Sequence, residues 1–259
     1  MKKIFIAFFI MVGVFVMGGC SKQKADELPK LVIGSDEYRP YNYTDIDGEC
    51  AGIDVELAQE ACKRMGYEPV FKHIEWNLRD EYLEKGEIDC LWSCYPMIED
   101  EKYEWVGPYM YSRQVIAVLK DSPIHTMSDL KGKTVVVRVG SQAENIFLNK
   151  TEKNVPQVKN VYSLNDVDEI VIALRNDYAD ACAGYGATVT ELFNNAGVQY
   201  RLLEEDLSRA ELGIAFPKNS DSALREKLEE TLNEMHQDGT MAQILEGYDV
   251  NVKKALGEE

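Results

Sequence analysis

GIDVELAQEACKRMGY (residues 52–67) decides the fold. Its apolar residues Ile53, Val55, Leu57, Ala58, Ala61, Cys62 and Met65 recur at helical spacing. Asp54 stands near the start of that helix and Gly66 at its stop, each suited to its end. Upstream, KLVIGSDEY (30–38) reads as a short apolar strand over 31–33 that runs into a polar turn. Downstream, PVFKHI (69–74) is a strand, RDEYLEKGEID (79–89) a short helix ending at Gly86, and CLW (90–92) a strand again. Strand and helix alternate, the pattern of an α/β protein whose parallel sheet is covered on both faces.

The same rhythm returns further on. KTVVVRVGS (133–141) is a strand, QAENIFLNK (142–150) a helix and VKNVY (158–162) a strand. SLNDVDEIVIALRND (163–177) is a helix with Ser163 as its expected cap. ADACAG (179–184), ATVTELFNNAG (187–197) and VQYRLL (198–203) continue as strand, helix and strand. LGIAFPK (212–218) is a strand, and 220–248 hold two amphipathic helices split at Asp238 and Gly239. Two α/β units in succession predict two lobes. YSRQVIAVLKDSPIHTMSDLKGK (111–133) contains a strand long enough to cross between them, and RAELGIAFPKNS (209–220) is the return. The expected division is lobe 1 over 30–117 plus 214–259 and lobe 2 over 118–213, with two hinge strands that absorb closure around a ligand.

The opening MKKIFIAFFIMVGVFVMGGC has a basic start and an apolar run, residues 4–17, too short for a comfortable membrane span. It reads as a signal peptide over 1–19. MGGC (17–20) resembles a bacterial lipoprotein box, which would make Cys20 the lipidated N-terminus, with 20–29 as a polar tether. Without a lipid the chain would be an ordinary secreted protein. The net charge of −17, more acidic still once Lys2 and Lys3 are removed, argues against nucleic acid and against attraction to an anionic membrane. Cys50, Cys62, Cys90, Cys94 and Cys182 remain beside Cys20, an odd number that excludes a complete disulfide framework. They read as small buried hydrophobes. His73, His125 and His236 lack ligand spacing, so neither a metal nor a cofactor is expected.

GSDEYRPYNYTDIDGECAGIDVELAQEACKRMGY (34–67) resembles the opening of the family 3 extracellular solute-binding proteins. EWNLRDEYLEKGEIDC (75–90), YEWVGPYMYSRQVIAV (103–118), MSDLKGKTVVVRVGSQAE (127–144), ELGIAFPKNS (211–220) and DGTMAQIL (238–245) resemble further family stretches, in the family's order. The resemblance implies the two-lobed periplasmic-binding-protein type II fold. It also implies a receptor that binds a small polar solute between its lobes and delivers it to an ABC permease. Asp36 and Tyr38 match the family's pocket rim, and Trp76 its ligand-packing aromatic, where a ring face can also sit against a cation. Arg138, Ser141 and Gln142 match the strand end and helix N-terminus of lobe 2, where backbone N–H groups suit a carboxylate.

Elsewhere the sequence departs from the family. The family's carboxylate-forking arginine and its preceding glycine and threonine stand in a stretch that here reads CYPMIEDEK (94–102). Cys94 replaces the glycine, Pro96 the threonine and Glu101 the arginine. The amino-group-binding Asp of lobe 2 falls near Tyr185. Two readings follow. Either Arg113 or Arg138 takes a carboxylate from another direction, so that an amino acid or small organic acid binds. Or the site is acidic and aromatic, built from Asp36, Tyr38, Trp76, Trp92, Tyr95, Glu101 and Tyr185, and favours an amine or aromatic ligand. Rival functions on the same fold are a receptor reporting to a membrane signalling partner and a cyclohexadienyl-dehydratase-like enzyme. No motif supports the enzyme.

Overall fold

A computed structural model describes residues 27–97 and 102–258. The expected signal peptide, Cys20 and Glu101 lie outside the described residues. Strands β1 (Lys30–Ser35), β2 (Tyr43–Thr44) and β3 (Cys50–Ala51) lead into helix α1 (Ile53–Met65). Then come β4 (Glu68–His73), a 3-10 turn over Trp76–Leu78, α2 (Arg79–Glu84) and β5 (Cys90–Pro96). The long β6 (Tyr103–Leu119) crosses to β7 (Thr134–Arg138), α3 (Gln142–Asn149), β8 (Asn160–Leu164), α4 (Val167–Arg175), β9 (Ala181–Tyr185), α5 (Gly186–Asn195) and β10 (Tyr200–Leu202). β11 (Ser208–Pro217) returns and is followed by α6 (Ser222–Gln237), α7 (Thr240–Leu245) and α8 (Val252–Ala255).

Helix α1 forms where the spacing predicts it. Its buried face (Ile53, Leu57, Ala58 and Ala61) packs in one core with Leu228, Leu232 and Met235 of α6. Gly66 ends it at φ 76°, a left-handed conformation that a Cβ disfavours. The α6–α7 pair is also tied to α1 by polar contacts. Lys227 Nζ donates to the Met65 carbonyl at 2.7 Å, and Arg64 bridges to Asp238 at 2.6 Å. Helix α4 starts later than expected. Residues 160–164 pair in parallel with β7, so the strand consumes Ser163, and Asp166 caps the helix by accepting from the Asp168 N–H at 2.9 Å.

The main sheet runs β4-β1-β5-β11-β6-β9-β7-β8, with β10 also on β6. β1 pairs in parallel with β4 and β5, and β7 with β8 and β9. Between these two parallel units the crossing strands make an antiparallel middle. β6 pairs with β11 from Tyr103 to Gln114 on one side and with β9 from Gln114 to Ala117 on the other, so the two pairings meet at Gln114. Separate apolar cores cover the two faces of each unit, which gives a two-lobed α/β protein. The expected hinge strands are β6 and β11. No described helix is long and apolar enough to cross a membrane. Cys62, Cys90, Cys94 and Cys182 are buried free thiols as expected, whereas Cys50 is exposed on the short strand β3.

Candidate functional site

Where the two parallel units face each other, a cavity of about 370 Å³ lies between the lobes. Lobe 1 supplies one wall from the loop after β1 (Asp36 and Tyr38), the 3-10 turn (Trp76 and Asn77) and the end of β5 (Ser93 to Pro96). Lobe 2 supplies the other from Arg138 at the end of β7, Val139 to Gln142 leading into α3, and Tyr185 at the end of β9. Strand ends and a helix N-terminus converge because α/β units leave their ligand crevice at the carboxyl ends of the strands.

The lobe 2 wall is electropositive. Ser141 caps α3, its hydroxyl accepting from the Glu144 N–H at 3.1 Å. The start of the helix borders the cleft next to the Arg138 guanidinium, and the first-turn Glu144 carboxylate accepts from the Gly140 N–H at 2.6 Å. Arg138 reaches across the cleft and lies 4.9 Å from the centre of the Tyr38 ring. Gln142 sits deeper, its Oε1 accepting at 3.4 Å from both Gln114 Nε2 and the Tyr185 hydroxyl.

The lobe 1 wall carries the opposite polarity. Asp36 accepts from Ser93 Oγ at 2.9 Å. Around it stand ring faces and edges. Tyr38 stacks near Tyr41 with 6.1 Å between centroids, and Tyr185 meets Tyr38 edge-on at 5.8 Å. Trp76 meets Tyr95 edge-on at 4.9 Å, with the Arg79 guanidinium 5.2 Å from the Trp76 ring.

Beneath the cleft floor lies a buried acid. Asp54, 1% exposed, accepts from the Cys94 N–H at 2.6 Å and from the Tyr109 hydroxyl at 2.8 Å. Burial is the main cause that pushes its carboxyl up to about 7. The Cys94 N–H points at it because Cys94 is held at φ 47°, a left-handed conformation uncommon for a residue with a side chain. Burial first, and the Asp54 charge second, push the Cys94 thiol well up, so it stays protonated. The Tyr185 phenol is likewise raised by burial. Among the described residues no group of His, Cys, Asp and Glu could hold a metal.

The structure thus brings together nine of the residues singled out in the sequence: Asp36, Tyr38, Trp76, Cys94, Tyr95, Arg138, Ser141, Gln142 and Tyr185. It places two elsewhere. Trp92 is fully buried in the lobe 1 core against Tyr109, because strand alternation turns it away from the face that carries Ser93 and Tyr95. Arg113 points behind the hinge, where it pairs with Asp206, its Nε donating at 2.5 Å. Glu101 lies outside the described residues.

Asn77 and Gly140 also line the cleft, and Asp54 supports it, although the sequence reading gave none of them a site role. Asp54 had a signal. It is an acid on the face of α1 that is otherwise apolar and buried.

The model of the bacterial extracellular solute-binding proteins, family 3, matches residues 31–251. An arginine-binding extracellular protein of Bacillus subtilis (strain 168) is 27% identical over 251 residues, 94% of this chain and 96% of that protein. An L-cystine-binding protein of Escherichia coli (strain K12) is 28% identical over 228 residues, covering 86% and 84%. Among solved structures, an ABC uptake transporter substrate-binding protein from Streptococcus pneumoniae with bound histidine superposes with a TM-score of 0.70. It shares 26% identity and covers 85% of this chain and 92% of that one. With a match spanning nearly all of the described chain, the protein belongs to the bacterial extracellular solute-binding proteins of family 3.

Proposed function

We propose that the protein captures a free amino acid in the interlobe cleft and presents it to an ABC permease in the membrane. The observation that carries this reading is the split polarity of the cleft. A positive wall, Arg138 with the α3 N-terminus, faces a negative one, Asp36 backed by Ser93. A zwitterion complements both at once. Its carboxylate pairs with Arg138 and the N–H groups at the start of α3, and its ammonium with Asp36. Tyr38, Trp76, Tyr95 and Tyr185 then cover the side chain, giving contact area with few rotatable bonds to freeze.

The arginine-, cystine- and histidine-binding relatives support an amino acid with a long or aromatic polar side chain. Family membership supports delivery to a permease. We take the role to be binding and not catalysis. The protonated Cys94 thiol is no nucleophile, and Asp54 is engaged by Cys94 and Tyr109 below the cleft. Lipid at Cys20 would hold the receptor at the outer face of the cell membrane, with the segment up to β1 as its tether.

A thermal-shift panel tests the ligand class. A ligand that binds the native state at a hundred times its Kd stabilises it by about 2.7 kcal/mol, a rise of several degrees. The expected result is that one or a few amino acids raise the Tm. Their decarboxylated amines and deaminated acids should not. Equal response to the amine alone would instead make the site a cation cage, and no response from any amino acid would overturn the reading.

A further inference from the structure

Arg113 of β6 and Arg209 of β11 stand directly opposite each other in the antiparallel pair that links the lobes. Like charges in that position are destabilising unless something neutralises them. Asp206 does so in part, accepting from Arg113 Nε at 2.5 Å and from Arg209 Nε at 2.9 Å. Arg113 Nη2 also pairs with the same carboxylate. One carboxylate thus serves two guanidinium groups. Among the described residues, Arg113 Nη1 and both Nη atoms of Arg209 have no acceptor, nor does Lys254 Nζ on the neighbouring α8.

These three cations line one recess of about 520 Å³ beside Tyr111, with the exposed Glu211 as its acid. The recess lies behind the hinge and shares no lining residue with the ligand cleft. On a chain of net charge −17, three cations around one cavity are not an average surface. Nothing in the amino-acid cleft requires them. We propose that this recess is a second binding site, for a small tetrahedral or planar oxyanion of the phosphate type, held by Arg113, Arg209 and Lys254. Arginine donors already anchored on their Nε edge by Asp206 present their outer N–H groups with little freedom left to lose, which favours bidentate recognition of such an anion.

Inorganic phosphate is the probe, titrated against chloride at matched ionic strength and followed by Tm and calorimetry. Phosphate also stabilises proteins generally by exclusion from their surface, so the wild type alone does not decide. The double variant Arg209→Gln, Lys254→Gln is therefore run alongside. The expected result is saturable phosphate binding in the wild type that weakens by about tenfold or more in the variant. The variant should keep the wild-type Tm in chloride and the wild-type response to the cleft's amino acid. A phosphate response of equal size in both proteins would overturn the proposal, as would a calorimetric titration of wild type with no saturable heat. Vesicles of phosphatidylglycerol at equal phosphate should bind the wild type no more than they bind the double variant. Binding to them that depends on Arg209 would overturn the assignment to a free anion in favour of a lipid headgroup.

Discussion

Two ionisable residues, one in the cleft and one beneath it, carry opposite burdens, and each makes a prediction. Arg138 is partly exposed and stacked on Tyr38 across the lobes. Removing it costs the fold little and the carboxylate its partner. Arg138→Ala should leave the ligand-free Tm close to wild type and weaken amino-acid binding by about tenfold to a hundredfold, the 1.5–3 kcal/mol of a charged hydrogen bond. Arg138→Lys should recover only part of that loss, since an ammonium lacks the planar fork. Calorimetry on the two variants checks both. Asp54 is the reverse case, buried and structural. Its carboxyl sits at about 7 in the folded protein, against about 3.9 in an unfolded chain. Between those values the native state holds a proton that the unfolded state has released. Its contribution to stability is therefore fully present below the unfolded value and is lost as pH rises through the folded one. The stability gap between wild type and Asp54→Asn, from denaturant unfolding at each pH, should be widest near pH 4 and shrink, by an amount on the order of a few kcal/mol, by pH 8. Taking the difference cancels the other carboxylates. A gap constant with pH would mean that Asp54 is ionised throughout.

Strand β5 shows why elements, and not residues, decided what could be read ahead of the structure. Cys90, Trp92 and Cys94 alternate toward the core that contains α1 and α6, while Leu91 and Tyr95 face the core beneath α2. A stretch as aromatic as CLWSCYP gives no sign of which face meets the cleft, because both faces are apolar and buried. The structure sets Trp92 in the core and Tyr95 on the cleft wall. The same period of two hid Arg113, whose direction depends on the register of β6 against β11. By contrast α1, its Gly66 stop and the strand–helix alternation were legible from spacing, because one face of each helix is polar. The loop residues of the site were legible through family resemblance and not through local physics. The two tryptophans separate the two kinds of position by experiment. Trp92→Ala empties a fully buried site and should cost about 3–5 kcal/mol, a fall in Tm of many degrees with or without ligand. Trp76→Ala removes a partly exposed ring from the cleft wall. It should abolish most amino-acid binding while the far-UV spectrum and ligand-free Tm stay near wild type. If Trp76→Ala instead unfolds the protein, the ring is a core residue shared with Tyr95, Tyr103 and Trp105.

At the scale of the whole molecule the lobes already touch outside the cleft. Thr188 Oγ1 donates to the Arg39 carbonyl at 2.8 Å, and Asn194 Nδ2 to Asp249 at 2.8 Å. The Arg39 guanidinium lies 3.7 Å from Glu191. Thr188, Glu191 and Asn194 all belong to α5 of lobe 2, and their partners belong to lobe 1 or follow α7 on its surface. Together with Tyr185 set between Tyr38 and Tyr41, they hold the two walls at the separation that gives the 370 Å³ cavity. A receptor of this kind binds through a population of closed forms, and its apparent affinity scales with the closed fraction before ligand arrives. These contacts are exposed or half exposed and individually weak, so they bias that fraction without locking it. The double variant Glu191→Ala, Asn194→Ala deletes two of them and leaves every cleft residue in place. The ligand-free radius of gyration from small-angle scattering should rise, while the ligand-saturated value stays that of the wild type. Amino-acid affinity should fall by no more than about tenfold. The loss should come mainly from slower net closure and faster release, not from a change in which amino acid is preferred. An unchanged radius with a changed ligand preference would place α5 in the recognition surface itself, and an unchanged radius with unchanged affinity would leave closure to the ligand and the hinge strands alone.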